Sequence, residues 1–185
     1  DNKLPTWAGK RACWSESVDV HCLRIDIRNL WLPGLAKFSG RRVVGIGKHV
    51  CGSATDLALK CLCQARTECS EDKMEPPLIV GIGIALCCRH ACNWDDYVDQ
   101  SWILEAGFSP ADFCKITLMS TWAHQEDQAR QQLGQSCKRF LDAGRVRFLR
   151  RRGFQAVVQD FVDASCTKEN KLLLAVMDAS ESCES

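Results

Sequence analysis

Two histidines and a run of cysteines sit in short polar segments that each follow an apolar stretch. After Val43-Val44-Gly45-Ile46-Gly47 comes Lys48-His49-Val50-Cys51-Gly52-Ser53, and after the apolar stretch 78–86 comes Cys87-Cys88-Arg89-His90-Ala91-Cys92-Asn93-Trp94. Imidazole takes and gives protons near neutral pH, and a neighbouring ammonium stabilises an anion. Lys48, His49 and His90 are therefore candidates for acid–base chemistry. A single histidine at a strand end is more simply satisfied by backbone groups, and His21 and His124 are read that way. Two histidines ending consecutive strands are less easily dismissed. A third polar end, with Asp26, Arg28 and Asn29, follows the alternating segment 20–27. Ligands of open α/β sheets bind beyond the carboxyl ends of the strands, so three such ends predict one shared site.

Two other chemistries fit poorly. Gly47-Lys-His-Val-Cys-Gly52-Ser53 imitates a phosphate loop, but that loop places its lysine directly after the second glycine; here Ser53 follows. Cys87, Cys88, His90 and Cys92 offer thiolates and an imidazole, the ligands of zinc. Neighbouring Cys87 and Cys88 would point to opposite sides of a continuing strand, and no CxxC pair exists in the chain. The expectation is no metal here.

The elements that would position these residues are legible from periodicity. Strands are expected at 20–27, 43–47, 78–86, 156–162 and 171–177. Helices are expected at 54–66, where Asp56 suits the first turn, and at 97–105. Two more follow, one opening on Pro110 and reaching about Trp122, the other long, at 128–151. Trp94 and Trp122 read as core. Alternating strands and helices argue an α/β fold, mostly parallel, with helices on both sheet faces. The last two strands share only a short polar connection and should run antiparallel. Residues 1–19 read as an irregular lead-in, 20–178 as one domain and 179–185 as a polar tail.

The 185 residues carry 24 Lys+Arg against 23 Asp+Glu, 46% hydrophobic residues and 13 cysteines. Such a composition excludes wholesale disorder and any affinity for nucleic acid through net charge alone. No apolar run approaches the ~18 residues of a membrane span, and no secretory signal is visible. An odd number of cysteines, several in apolar stretches, reads as mostly buried, reduced thiols of a cytoplasmic or nuclear protein. One local patch is strongly basic: Lys138, Arg139, Arg145, Arg147, Arg150, Arg151 and Arg152 stand against Asp142 alone. It reads equally as a solvated helix end or as a footprint for a phosphate backbone.

Several of these segments, taken together, resemble the eukaryotic tRNA methyltransferase thirteen family. They are Leu23-Arg24-Ile25-Asp26-Ile27-Arg28-Asn29-Leu30, Gly45-Ile46-Gly47-Lys48-His49-Val50-Cys51-Gly52, Thr55-Asp56-Leu57-Ala58-Leu59 and Ile84-Ala85-Leu86-Cys87-Cys88-Arg89-His90-Ala91-Cys92-Asn93-Trp94. Met119-Ser120-Thr121-Trp122-Ala123, Gly144-Arg145-Val146 and Gly153-Phe154 follow in the family's order. The resemblance implies a class I, S-adenosylmethionine-dependent enzyme with a Rossmann-like sheet. It also implies methylation of the ribose 2′-hydroxyl of the fourth nucleotide of the tRNA acceptor stem. The family usually has two histidines after the double cysteine; Arg89 stands in the first place here, leaving His90.

The resemblance further implies roles for particular residues. His49 or His90 would be the base, with Lys48 an electrostatic aid and Asp56 an orienting carboxylate. Asp26, Asn29 and Gly47 would contact the cofactor, and Arg145, Arg150, Arg151 and Arg152 the RNA. No Gly-rich strand–loop–helix unit precedes Val20, and the family's zinc-binding amino-terminal segments are not seen, so zinc is expected only in such segments. The stretch looks like the carboxyl-terminal portion of the methyltransferase domain, with an open sheet edge where earlier βα units would pack. A catalytically inactive RNA-binding remnant and a cysteine-built metal-binding module are the alternatives.

Overall fold

The computed structural model describes residues 21–65 and 75–177. The expected lead-in at 1–19 and polar tail at 179–185, and residues 66–74, lie outside the described residues. Four strands form one sheet: β1 (Arg42–Lys48), β2 (Leu78–Ala85), β3 (Phe154–Asp160) and β4 (Lys171–Met177), in the order β1-β2-β4-β3. The helices are α1 (Ser53–Gln64), α2 (Gln100–Glu105), α3 (Pro110–Met119) and α4 (Gln128–Arg150).

The sheet is mixed. β1 and β2 pair in parallel around the crossover through α1, as a parallel pair requires. β4 lies between β2 and β3 and is antiparallel to both. The expectation of a mostly parallel sheet thus holds for strand direction, since β1, β2 and β3 point the same way, but not for pairing. The two Gly-Ile-Gly stretches are the paired β1 and β2, with Ile46 opposite Gly83.

Two expectations fail. The segment 20–27 forms no strand where it is described: residues 21–26 are irregular, and a 3-10 turn occupies Ile27–Asn29. Its alternation of Leu23 and Ile25 finds no neighbouring strand, and both side chains stay half exposed. Asp26 instead caps the turn, accepting from Arg28 N at 2.9 Å, the local bond with which Asp competes against ladder pairing. Nor do helices cover both faces. Ile79, Ile82, Ile84, Leu173, Ala175, Phe154 and Ala156 point to one face and form a core with Leu59 of α1 and Phe148 and Leu149 of α4. On that face Gly45 lets α1 approach closely, for a Cβ there would lie 2.4 Å from Leu62 Cδ1. The opposite face presents Val44, Val157, Val176 and Ile46, the last 85% exposed, with nothing packed over it among the described residues.

Element ends move for local reasons. Asp99 accepts from Trp102 N and so starts α2 at Gln100 rather than 97; Tyr97 is instead buried, donating to Leu141 O at 2.7 Å. Ser109 and Asp112 form a capping box on α3 with Pro110 in its first turn, and a 3-10 turn at Ser120–His124 replaces its expected last turn. Asp127 caps α4. Tyr97, Ile103, Phe113, Ile116, Cys137 and Leu141 make a second core beside the first, with Trp94 edge-on to Phe113 at 5.5 Å. α4 joins the two cores along one stripe. Of the described cysteines Cys61, Cys63, Cys92 and Cys137 are buried, Cys51, Cys87 and Cys88 half-buried, and Cys22, Cys114 and Cys166 exposed, so the expectation of mostly buried thiols holds only in part.

Candidate functional site

Three segments meet beyond the carboxyl ends of β1 and β2. The β1–α1 loop touches the loop after β2 at three points. Cys51 Sγ lies 2.8 Å from Cys87 Sγ, Asn93 N donates to Ser53 Oγ at 3.0 Å, and Gly52 sits against Ala91. Gly52 has φ +54°, and a Cβ there would come within 2.3 Å of the Ala91 carbonyl; both facts demand glycine. The third segment, ending in the Ile27–Asn29 turn, reaches the same edge through Arg28 Nη2, which donates to Asp96 Oδ2 at 3.0 Å. Asp96 also accepts from Asn93 Nδ2 at 2.7 Å. Partial burial pushes the Asp96 carboxyl up, but the bonds from Arg28 and Asn93 outweigh it and hold the group below its ordinary range. Arg28 belongs to the third polar end named from sequence but carries no assigned role there, and Asn93 and Asp96 lie outside the sequence-based site. The only local signal for them is their three-residue spacing, which lets Asp96 N donate to Asn93 Oδ1 at 2.8 Å.

On this rim Lys48 is the last residue of β1 and His49 follows it, both exposed. His49 has φ +60°, the one left-handed non-glycine among the described residues. That conformation costs an L-residue about 1–2 kcal/mol, and such strain gathers at functional sites. His90 is exposed on the 3-10 turn Arg89–Ala91 of the facing loop. Asp26 and Asn29 are exposed on the third segment, and Gly47 lies in β1 against Val50.

Asp56 does not belong to this rim. It is fully buried in α1, where Arg145 donates Nε to Oδ1 at 3.1 Å and Nη2 to Oδ2 at 2.7 Å. Arg145 also donates to Asp142 Oδ1, and Asp142 accepts from Arg89 Nη2 at 2.8 Å. Arg89 continues to Glu169 Oε2 at 2.8 Å, and Glu169 Oε1 takes Lys138 and His124. Three cations and three carboxylates thus neutralise one another under the site. Asp56 as an orienting carboxylate and Arg145 as an RNA contact are both corrected: each charge is buried and used up by its partner. Cys92 lies in this network, 3.0 Å from Arg145 Nη2, its thiol pushed up to about 11 by burial.

The basic patch is likewise less free than its composition. Arg147 pairs with Glu105 at 2.7 Å and Lys138 with Glu169. Arg150 donates to Ala156 O, and the Arg152 guanidinium lies 3.5 Å from the Phe148 ring centre. Arg139, Arg150 and Arg151 nevertheless line a cavity of about 1120 Å³ beside α4, facing Lys168 and Lys171 from the β3–β4 side.

The thiols regroup as well. β2 ends at Ala85, so Cys87 and Cys88 lie past the strand rather than on its opposite faces, and they meet Cys51, not His90 or Cys92. The Sγ atoms of Cys51, Cys87 and Cys88 lie within 4.8 Å of one another, all half-buried. A hydrogen bond from Cys87 lowers the Cys51 thiol, while burial and Cys51 push Cys87 up to about 12.

Comparison with known proteins places the sequence among relatives. The family model described as Methyltransferase TRM13 matches residues 8–130 and 124–176. The human tRNA:m(4)X modification enzyme TRM13 homolog is 27% identical over an alignment covering 88% of this chain and 50% of the relative. The tRNA:m(4)X modification enzyme TRM13 of Kluyveromyces lactis is 32% identical, covering 95% of this chain and 44% of the relative. The Dictyostelium discoideum TRM13 homolog is 37% identical over 55% of the chain and 19% of the relative. The chain spans about half the length of the first two relatives. No solved structure matches. The chain belongs to the TRM13 methyltransferase family.

Proposed function

We propose that this chain forms the carboxyl-terminal part of a Rossmann-like methyltransferase domain that transfers a methyl group from S-adenosylmethionine to a ribose 2′-hydroxyl at the fourth nucleotide of the tRNA acceptor stem. The observation that carries the reading is the meeting of three polar segments at one sheet edge, with Lys48 and a strained His49 at the tip of β1. The relatives' description as tRNA modification enzymes supports the substrate class.

The donor set on the rim suits the cofactor. Asp26 Oδ2 takes only a long 3.5 Å contact from Arg28, so it remains able to accept from a ribose hydroxyl, and the exposed Asn29 amide offers both a donor and an acceptor. Asp26, Asn29 and the backbone at Gly47 would hold the adenosine portion. S-adenosylmethionine, when bound, supplies a methyl already activated by its sulfonium. What remains for the protein is to align a ribose hydroxyl and take its proton. His49 receives that proton, Lys48 stabilises the alkoxide as it develops, and His90 on the facing loop orients the ribose. The tRNA backbone runs along the cavity beside α4, where Arg139, Arg150, Arg151 and Lys168 meet its phosphates.

The test is methylation of tRNA by full-length enzyme carrying His49→Ala, Lys48→Ala or His90→Ala. Loss of the base should cost roughly 10²–10⁴-fold in kcat, with folding unchanged because each residue is exposed. Intact methylation by all three variants would overturn the assignment. In a filter-binding series, replacing Arg139 and Arg151 together by alanine should flatten the slope of log affinity against log salt by up to about 0.9 per lost phosphate contact. An unchanged slope removes the cavity from the RNA path.

A further inference from the structure

We propose that Cys51, Cys87 and Cys88 form a binding site for zinc or a like thiophilic divalent cation, holding it through three sulfurs with a fourth position open to water. The three Sγ atoms lie within 4.8 Å of one another although they come from two loops 36 residues apart. With zinc–sulfur bonds of about 2.3 Å, tetrahedral geometry sets sulfurs about 3.8 Å apart. The cluster therefore needs only small side-chain adjustments to close on an ion.

The backbone on either side of each thiol is already fixed. Ala54 N donates to Cys51 O at 3.1 Å, Arg89 Nη1 donates to Cys87 O at 2.8 Å, and Ala91 N donates to Cys88 O at 3.3 Å. Leu86 N is tied to Lys171 O at 2.9 Å, anchoring the double cysteine to β4. Bonds of this kind, which orient the ligating residues, are what a metal site needs beyond its ligands. Three thiolates around a divalent cation leave one net negative charge. The Arg89 guanidinium that donates to Cys87 O is already paired with Asp142 and Glu169, so it orients the loop and does not serve as a free counter-charge. No fourth His, Cys, Asp or Glu joins the three among the described residues, which gives the pattern of three protein ligands and one exchangeable position. Soft sulfur ligands favour zinc over magnesium or calcium. The bound ion would cross-link the β1–α1 loop to the loop after β2 and so fix the rim that carries His49 and His90. The site stands or falls independently of methyl transfer, since it is read from metal binding alone.

The experiment is cysteine alkylation of the reduced, metal-stripped chain with and without one equivalent of zinc, mapped by peptide mass spectrometry. Zinc should protect Cys51, Cys87 and Cys88 while exposed Cys22, Cys114 and Cys166 react as before. Removing an orienting partner alone costs roughly 10–100-fold in metal affinity, so Cys51→Ser and Cys87→Ser should each weaken zinc binding by at least about 100-fold, whereas Cys166→Ser should leave it unchanged. Equal alkylation of the three thiols with and without zinc overturns the site. So does a Cys51–Cys87 disulfide as the resting state of protein purified without oxygen. The alkylation map uses the unaltered chain, so a variant that fails to fold does not shield the proposal.

Discussion

Arg89 and His90 are neighbours in sequence with opposite fates, and so, at seven residues' distance, are His49 and Asp56. Arg89 and Asp56 are buried in the ion network that ties α1, α4 and the β3–β4 loop together; His90 and His49 stand exposed on the rim above it. Below, every charge meets an opposite one at hydrogen-bond distance. Above, Arg28, Ser53, Asn93 and Asp96 bond one another, while Lys48, His49 and His90 stand exposed. The same residue types are thus paired and sealed in one layer and exposed in the other, and partners rather than composition decide which.

The network should break hardest. Arg145→Ala leaves the Asp56 carboxylate buried with the Cys92 thiol, 3.8 Å away, as its remaining side-chain hydrogen-bond partner among the described residues. Removing one partner of a buried pair costs about 3–5 kcal/mol, and chemical denaturation should show a loss of that size. Arg145→Lys should recover little, since a single ammonium cannot reproduce the two-point contact. Replacing Asp56 and Arg145 together by leucine and methionine should recover most of it, because paired apolar groups need no counter-charge. A loss below about 1 kcal/mol in Arg145→Ala would mean that water reaches Asp56 and that the two layers are not distinct.

The joint between the layers comes next. Gly52→Ala places a methyl 2.3 Å from the Ala91 carbonyl at a φ of +54°. Strain of this kind costs of order 1–3 kcal/mol, and the loops must part to relieve it. Thermal unfolding should register the cost, and zinc protection of the thiols should fall with it, because Cys51 is the residue before Gly52.

Legibility in the sequence followed the same division. The paired strands, α1, the capped α3 and the long α4 are readable from local periodicity and capping chemistry, and the meeting of the β1 and β2 ends follows from their parallel pairing. The third polar segment arrives not as a strand tip but through a 3-10 turn and the Arg28–Asp96 bond. The segment 20–27 is not readable in this way, because alternation indicates a strand only when a neighbour exists to pair with, and its Leu23 and Ile25 find none. Arg145 was misread for a related reason. A helix stripe of arginines looks solvated until one knows that Asp56, 89 residues away, closes over one of them. Cys51 stayed outside the sequence's thiol grouping because two loops bring it to Cys87, and sequence spacing carries no trace of that contact.

The smallest expected effect lies where the network reaches the surface. Burial pushes the Glu169 carboxyl up, but Lys138, then His124 and Arg89, outweigh it and hold the group below its ordinary value. A carboxyl whose folded pKa is depressed stabilises the fold above its unfolded pKa of about 4.3, and that contribution disappears as pH falls through the lower folded value. Stability measured against pH should therefore drop more steeply below about pH 4 in the native chain than in Glu169→Gln. The two curves should run parallel above about pH 6, offset by the lost ion pairs. Because Glu169 is 30% exposed, water screens the pair and the offset should be well below that of Arg145→Ala. An offset as large would place Glu169 inside the sealed layer, and the boundary between the buried network and the exposed rim would have to be drawn further out, along the cavity that Lys168 and Lys171 share with α4.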